Sequence, residues 1–182
     1  MMDAFQLLGL PRLLSLTDDT LREAFRAAGK NLHPDAAGGE SQFDALNEAF
    51  AVLSSPSQRL RHWLELQSLT AELRGAIDPA LMDLFTRVGT ATQRAELAIR
   101  KRDDAGSALV RALGEPEIQL ARHAIERANS EVAQWISRQC GSFPEFDKTT
   151  SPDLTAACQI MRNLVFLEKW RASLRSYFSR LI

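Results

Sequence analysis

The chain has 182 residues, 45% of them hydrophobic and 25% charged, with a formal net charge of -1. This is ordinary globular composition for one domain or two small ones, and it supplies no global field to draw the chain to nucleic acid or acidic membranes. Its two cysteines, Cys140 and Cys158, form no CxxC pair and no Cys/His cluster, so no metal site and no cofactor is expected.

The first stretch, MMDAFQLLGLPRLLSL, has neither a basic start nor a long apolar run, and reads as no secretory signal. Nowhere does an apolar run reach the roughly 20 residues that span a bilayer, so a cytoplasmic protein without a membrane partner is expected. Sustained period-two alternation is absent, whereas helical periodicity recurs, which predicts an all-α fold.

Within that stretch DAFQLLGL predicts a short helix capped by Asp3 and closed by Gly9-Leu10-Pro11. A second helix opens at Thr17 as N-cap, with Asp18 and Asp19 suited to its positive end and Leu16 and Leu21 spaced as a hydrophobic staple. Leu21, Phe25, Ala28 and Leu32 share one face, while Arg22, Arg26 and Lys30 recur every four residues on another. Pro34 disfavours helix at His33 and ends the element there.

A third helix is expected from about Ser41, turning Phe43, Leu46, Phe50 and Leu53 inward. A fourth begins at Ser55-Pro56 as N-cap and first helical residue. The short breaker between the second and third makes them an antiparallel hairpin. Gly75 and Asp78-Pro79 mark a hinge at 73–78, after which three long helical patterns run over about 79–113, 115–140 and 152–181. Gly114 and the stretch CGSFPEFDKTTSPD separate them, and an antiparallel three-helix bundle results.

The tripeptide His33-Pro34-Asp35 is more than a turn needs. Proline fixes the backbone and holds an imidazole and a carboxylate at the mouth of a hairpin whose leading helix carries a basic stripe. FQLLGLP, LREAFRAAGKNLHPD and FDALNEAFAVLSSPSQR, in that order, resemble a J-domain, the module that docks on DnaK-type chaperones and stimulates their ATP hydrolysis. Asn47, Ala49, Phe50, Leu53 and Pro56 fit the N-x-A-[YF]-x-x-L-x-x-P pattern that follows the loop in that family.

The whole layout, with PALMDLF and MRNLVFLEKWRASLRSYFSRLI, is similar to the HscB family of iron–sulfur cluster co-chaperones. The resemblance implies a J-domain at 1–72 and a client-binding three-helix bundle at 79–182. His33, Pro34 and Asp35 would trigger the partner ATPase. Arg22, Arg26 and Lys30 would dock on a DnaK/HscA-type chaperone. Leu81, Met82, Phe85 and Phe166 would contact an IscU-type scaffold. The chain departs from the family where glutamates usually follow the Leu-Met pair, offering Thr86, Arg87, Val88 and Gly89 instead, and Leu32 and Ala36 replace the usual tyrosine and basic residue around the loop.

Three rival readings are weaker. A hairpin turn provides no enclosed pocket in which His33, Asp35 or His62 could catalyse a reaction, so the chain does not read as an enzyme. The basic run IRKRDD is short and balanced by Asp103 and Asp104, and is no track for phosphates. A generic J-domain protein carrying another client, or a helical adaptor that has lost its scaffold, remains the alternative.

Overall fold

The computed structural model describes residues 2–30, 39–69 and 75–182. Among these there are eight α-helices and no strand, so the fold is all-α. They group into two compact units, one of residues 1–75 with 139–164 and the other of 76–138 with 165–182. This grouping in space differs from a division along the chain at 73–78, because the segment 139–164 joins the N-terminal helices.

The first unit opens with α1, Ala4–Leu7, whose N-cap Asp3 accepts hydrogen bonds from the amides of Phe5 and Gln6. Gly9, at φ +65°, turns the chain away from it with a conformation that glycine adopts at no steric cost. Helix α2, Asp18–Lys30, starts at Thr17, whose hydroxyl accepts from the Thr20 amide at 3.1 Å. Helix α3, Gly39–Ser54, packs against α1, α2 and α4, Pro56–Leu66. Ser55 caps α4 through the Gln58 amide, with Pro56 at the first helical position.

Leu21, Leu46 and Leu53 are buried as their spacing requires, and the Phe25 and Phe50 rings meet at 4.7 Å. Phe43 is the exception. It was expected inward but is 48% exposed. Phe43 lies seven residues before Phe50 on α3, whereas the described part of α2 ends at Lys30, five residues past Phe25.

Polar groups pin the connection between α1 and α2. The buried Arg59 of α4 donates to the carbonyls of Leu14 and Leu16 at 3.0 and 2.7 Å, and the Trp63 indole donates to the Arg12 carbonyl at 3.2 Å. His62 is buried too. Its Nε2 accepts the Ala4 amide at 3.0 Å while its ring stacks on Phe5, so it is a satisfied core residue.

Helix α7, Phe143–Phe146, lies inside a stretch that read as a plain connection. It buries both phenylalanines, and Phe146 lies 6.4 Å from the Trp63 ring. Asp147, just after it, accepts from the Leu14 amide at 2.6 Å, the Ser15 amide at 3.0 Å and the Ser15 hydroxyl at 2.5 Å. In this way a segment 132 residues away in sequence closes the same loop that Arg59 holds.

The second unit is built on α5, Met82–Asp103, entered through a 3₁₀ turn at Pro79–Leu81 that Asp78 caps. It adds the first 31 residues or so of α6, Ala108–Cys140, and the last part of α8, Leu154–Arg180, helices that contribute to both units. Arg87 pairs with Glu131 and Lys101 with Glu117, so α5 and α6 run antiparallel, one receding as the other advances. Phe85 lies against Trp170 and Tyr177 donates to Glu96, so α8 runs parallel to α5 in an up-down-up bundle. Ala91, Ala95 and Ala98 line the buried side of α5, small enough for its neighbours to approach closely.

Two boundaries differ from expectation. The break between the first two bundle helices lies at 104–107 and not at Gly114, which is inside α6 together with Pro116. Gly106-Ser107 supplies the stop and start, the Ser107 hydroxyl accepting from the Val110 amide at 3.3 Å. Proline costs α6 one backbone bond, a loss the helix tolerates because Ile118, Ala121, Ile125, Ala128, Val132 and Ile136 anchor the rest of it in the core. Helix α8 starts later than Ser151-Pro152 indicated, with Asp153 accepting from the Thr155 and Ala156 amides.

Candidate functional site

The basic stripe takes its shape from α2. Leu21 is buried and Phe25 half-buried, which turns Arg22, Arg26 and Lys30 outward, all three exposed. Their spacing of four residues places them along about 12 Å of one helix face. Arg22 approaches Asp19 at 3.4 Å, but both side chains are mostly in water, and such a pair contributes little. Arg26 donates to the Arg22 carbonyl at 3.3 Å, and Lys30 sits in the last turn, where a cation complements the helix dipole. His33, Pro34 and Asp35, together with Leu32 and Ala36, lie outside the described residues, between the end of α2 and the start of α3.

The residues expected to bind a client separate into core and surface. Leu81, expected at the client site, is fully buried, so its side chain presents no surface. Met82 and Phe85, by contrast, are 53% and 52% exposed. Phe85 lies 5.7 Å from the Trp170 ring and Phe166, half-buried, lies 6.4 Å from it, so Trp170 forms the floor of an aromatic patch with exposed Val165 nearby in sequence on α8. The sequence reading missed Trp170, although its place four residues after Phe166 on one helix was a usable signal.

On α5 the exposed Asp83, in the first turn, is the acidic residue beside this patch, and the positions directly after Phe85 carry none. Thr86 donates back to the Met82 carbonyl at 3.1 Å, and Arg87 reaches Glu131 at 2.6 Å on the other flank of the helix. The basic run at the end of α5 is neutralised locally: Arg100 pairs with Glu96, Lys101 with Glu117 and Arg102 with Asp103. Arg100 and the Tyr177 hydroxyl together hold the Glu96 carboxyl below its usual range, and the bond to Glu96 raises the Tyr177 phenol. Among the described residues no cluster of three or more His, Cys, Asp or Glu could hold a metal ion, and no helix is long and apolar enough to cross a membrane.

Residues 3–62 match the family model of the DnaJ domain. Over 60 residues the chain is 45% identical to the chaperone protein DnaJ of Lacticaseibacillus casei, covering 31% of this chain and 15% of that protein. It is 42% identical over 60 residues to a tetratricopeptide repeat and J domain-containing co-chaperone of Cryptococcus neoformans, covering 33% of this chain and 11% of the relative. The chain therefore spans only a small fraction of the length of these curated relatives. Among solved structures, the chaperone HscB of Vibrio cholerae superposes with a TM-score of 0.59 at 21% identity, covering 100% of both chains.

Proposed function

We propose that this J-domain protein of HscB-like fold is a co-chaperone, not itself an enzyme, of an Hsp70-type ATPase of the DnaK or HscA kind. The observation that carries the reading is the outward basic stripe of α2, which leads directly to His33-Pro34-Asp35 within the segment that matches the DnaJ domain. Arg22, Arg26 and Lys30 would dock on an acidic chaperone surface, in a fast encounter weakened by salt. His33, Pro34 and Asp35 would favour the hydrolysis-competent state of the chaperone by binding it better than the resting state, as an allosteric activator must.

Residues 1–72 would carry this activity, 73–78 the hinge, and 79–182 the client site, in a cytoplasmic protein that needs no cofactor. The client we infer is an iron–sulfur scaffold of the IscU type, held on Met82, Phe85 and Phe166 with Leu81 and Trp170 beneath them. The similarity in fold supports this, and so does the exposure of the patch. A second reading, a J-domain protein with another client, is favoured by one observation: Thr86 and Arg87 stand where the family has glutamates, and Arg87 is occupied by Glu131.

The test is the steady-state ATPase rate of the candidate chaperone with this protein, with and without the scaffold. Stimulation that rises further with scaffold and disappears in His33→Gln supports the full reading. Stimulation indifferent to scaffold supports the second. A His33→Gln protein that stimulates as well as the wild type refutes the role of the loop.

A further inference from the structure

On the flank of α5 opposite the aromatic patch, α5 and α6 enclose an open groove of about 310 Å³. Ala91, Ala124 and Ala128 form its apolar floor, exposed Leu120 borders it, and Arg94 and Arg127 stand on its rim. Neither of these arginines has a carboxylate partner among the described residues, unlike Arg87, which Glu131 neutralises. At the Lys101–Glu117 pair α5 has only two residues left, whereas α6 extends nine further residues toward its start, about 13 Å.

That overhang carries Leu109 and Leu113, 71% and 73% exposed, and Leu120 follows on the same stripe at 60%. Leu97 of α5 adds a fourth exposed leucine near the Lys101 end of the groove. Spacings of four and seven residues put Leu109, Leu113 and Leu120 on one face of α6, away from the face that carries Ile118, Ala121 and Ile125 inward. Large exposed leucines aligned in this way cost solubility unless something covers them.

We infer that this groove and its overhang bind an acidic amphipathic helix of a partner protein. From the Arg87–Glu131 pair to Leu109 the stripe runs about 33 Å, the length of a helix of about 22 residues. A helix with leucine-like residues on one face and glutamates or aspartates beside them would cover the four leucines and meet Arg94 and Arg127. A second copy of this chain fits poorly, because a two-fold contact sets the same patch against itself and brings these arginines together. A nucleic acid would satisfy the arginines and leave the leucines uncovered. The surface is separate from the aromatic patch, so the inference stands whether or not that patch binds an iron–sulfur scaffold.

The test uses the full chain and two fluorescent synthetic helical peptides of about 22 residues sharing one leucine stripe, flanked by glutamates in one and by lysines in the other. Fluorescence anisotropy is expected to show salt-sensitive binding of the glutamate peptide alone. Arg94→Glu combined with Arg127→Glu weakens it by about tenfold or more, as does Leu113→Ser with Leu120→Ser. All four positions are exposed, so the circular dichroism and melting temperature of these variants should match the wild type. Equal binding of the lysine peptide overturns the inference, as does unchanged affinity in the groove variants. Loss of binding on Met82→Ser would place the peptide on the aromatic patch instead. A chain that sediments as a dimer, and as a monomer after Leu113→Ser, would make the occupant a second copy.

Discussion

Leu81 and Met82 are neighbours in sequence with opposite fates, and replacing each with alanine separates fold from binding. Leu81 is fully covered, in the 3₁₀ turn that opens α5. Removing its side chain loses the transfer free energy of the buried methyl and methylene groups and leaves a cavity, together about 3 kcal/mol. Against a total stability of about 5–15 kcal/mol that is a large fraction, and for a chain of this size it lowers the melting temperature by about 6–12 °C. Met82 is 53% exposed, so Met82→Ala should change stability by no more than about 0.5 kcal/mol. Urea denaturation followed by circular dichroism reads both, and calorimetric titration with the proposed scaffold client reads binding on samples shown to be folded. The expected pattern is a destabilised Leu81→Ala protein and a fully stable Met82→Ala protein that binds client less well. A Leu81→Ala protein of wild-type stability that fails to bind would refute the placement of Leu81 in the core.

Asp147 offers another test, because three donors of Leu14 and Ser15 converge on one carboxylate. Asp147→Ala should cost about 2 kcal/mol in urea denaturation, and Asp147→Asn less, since its amide keeps one accepting oxygen; no loss in the alanine variant would mean that water serves these donors equally well. For Asp3, burial pushes the carboxyl up, but the bond to Arg12 and the amides of Gln6 and Phe5 together outweigh it and hold the group below its ordinary 3.8. A lowered folded pKa stabilises the fold at neutral pH and is lost as pH falls through that lowered value. Asp3→Asn keeps the cap but loses the charge, so it should be less stable than wild type at pH 7, with the gap closing only below pH 3.8, and a gap that closes at higher pH would contradict the sign.

Much of the local architecture was legible in the sequence because its causes are local. Asp3, Thr17, Ser55 and Asp78 cap helices by reaching amides two or three residues ahead, and each does so here. The basic stripe of α2 was legible for the same reason, since a four-residue period alone puts Arg22, Arg26 and Lys30 on one face once Leu21 faces inward. Where competing local signals lay close together, as at 104–116, the sequence pointed to Gly114 although the Ser107 cap and the buried stripe from Ile118 onward keep α6 continuous through it.

Burial was a different matter, because it depends on what other segments bring to a residue. Leu81 and Met82 have similar hydropathy and adjacent positions, and only the packing of the bundle makes one core and the other surface. The same holds for α7, whose short FPEF stretch carries no helical period and is held by Trp63 and by the bonds of Asp147 to residues more than 130 positions earlier. The sequence by itself determined the long helices, the caps at Asp3, Thr17, Ser55 and Asp78, and the charged face that follows from their period. The tertiary structure alone decided which leucines are covered, which arginines meet a carboxylate among the described residues, and that 139–164 completes the N-terminal unit, since each of these depends on contacts between segments that no local pattern encodes.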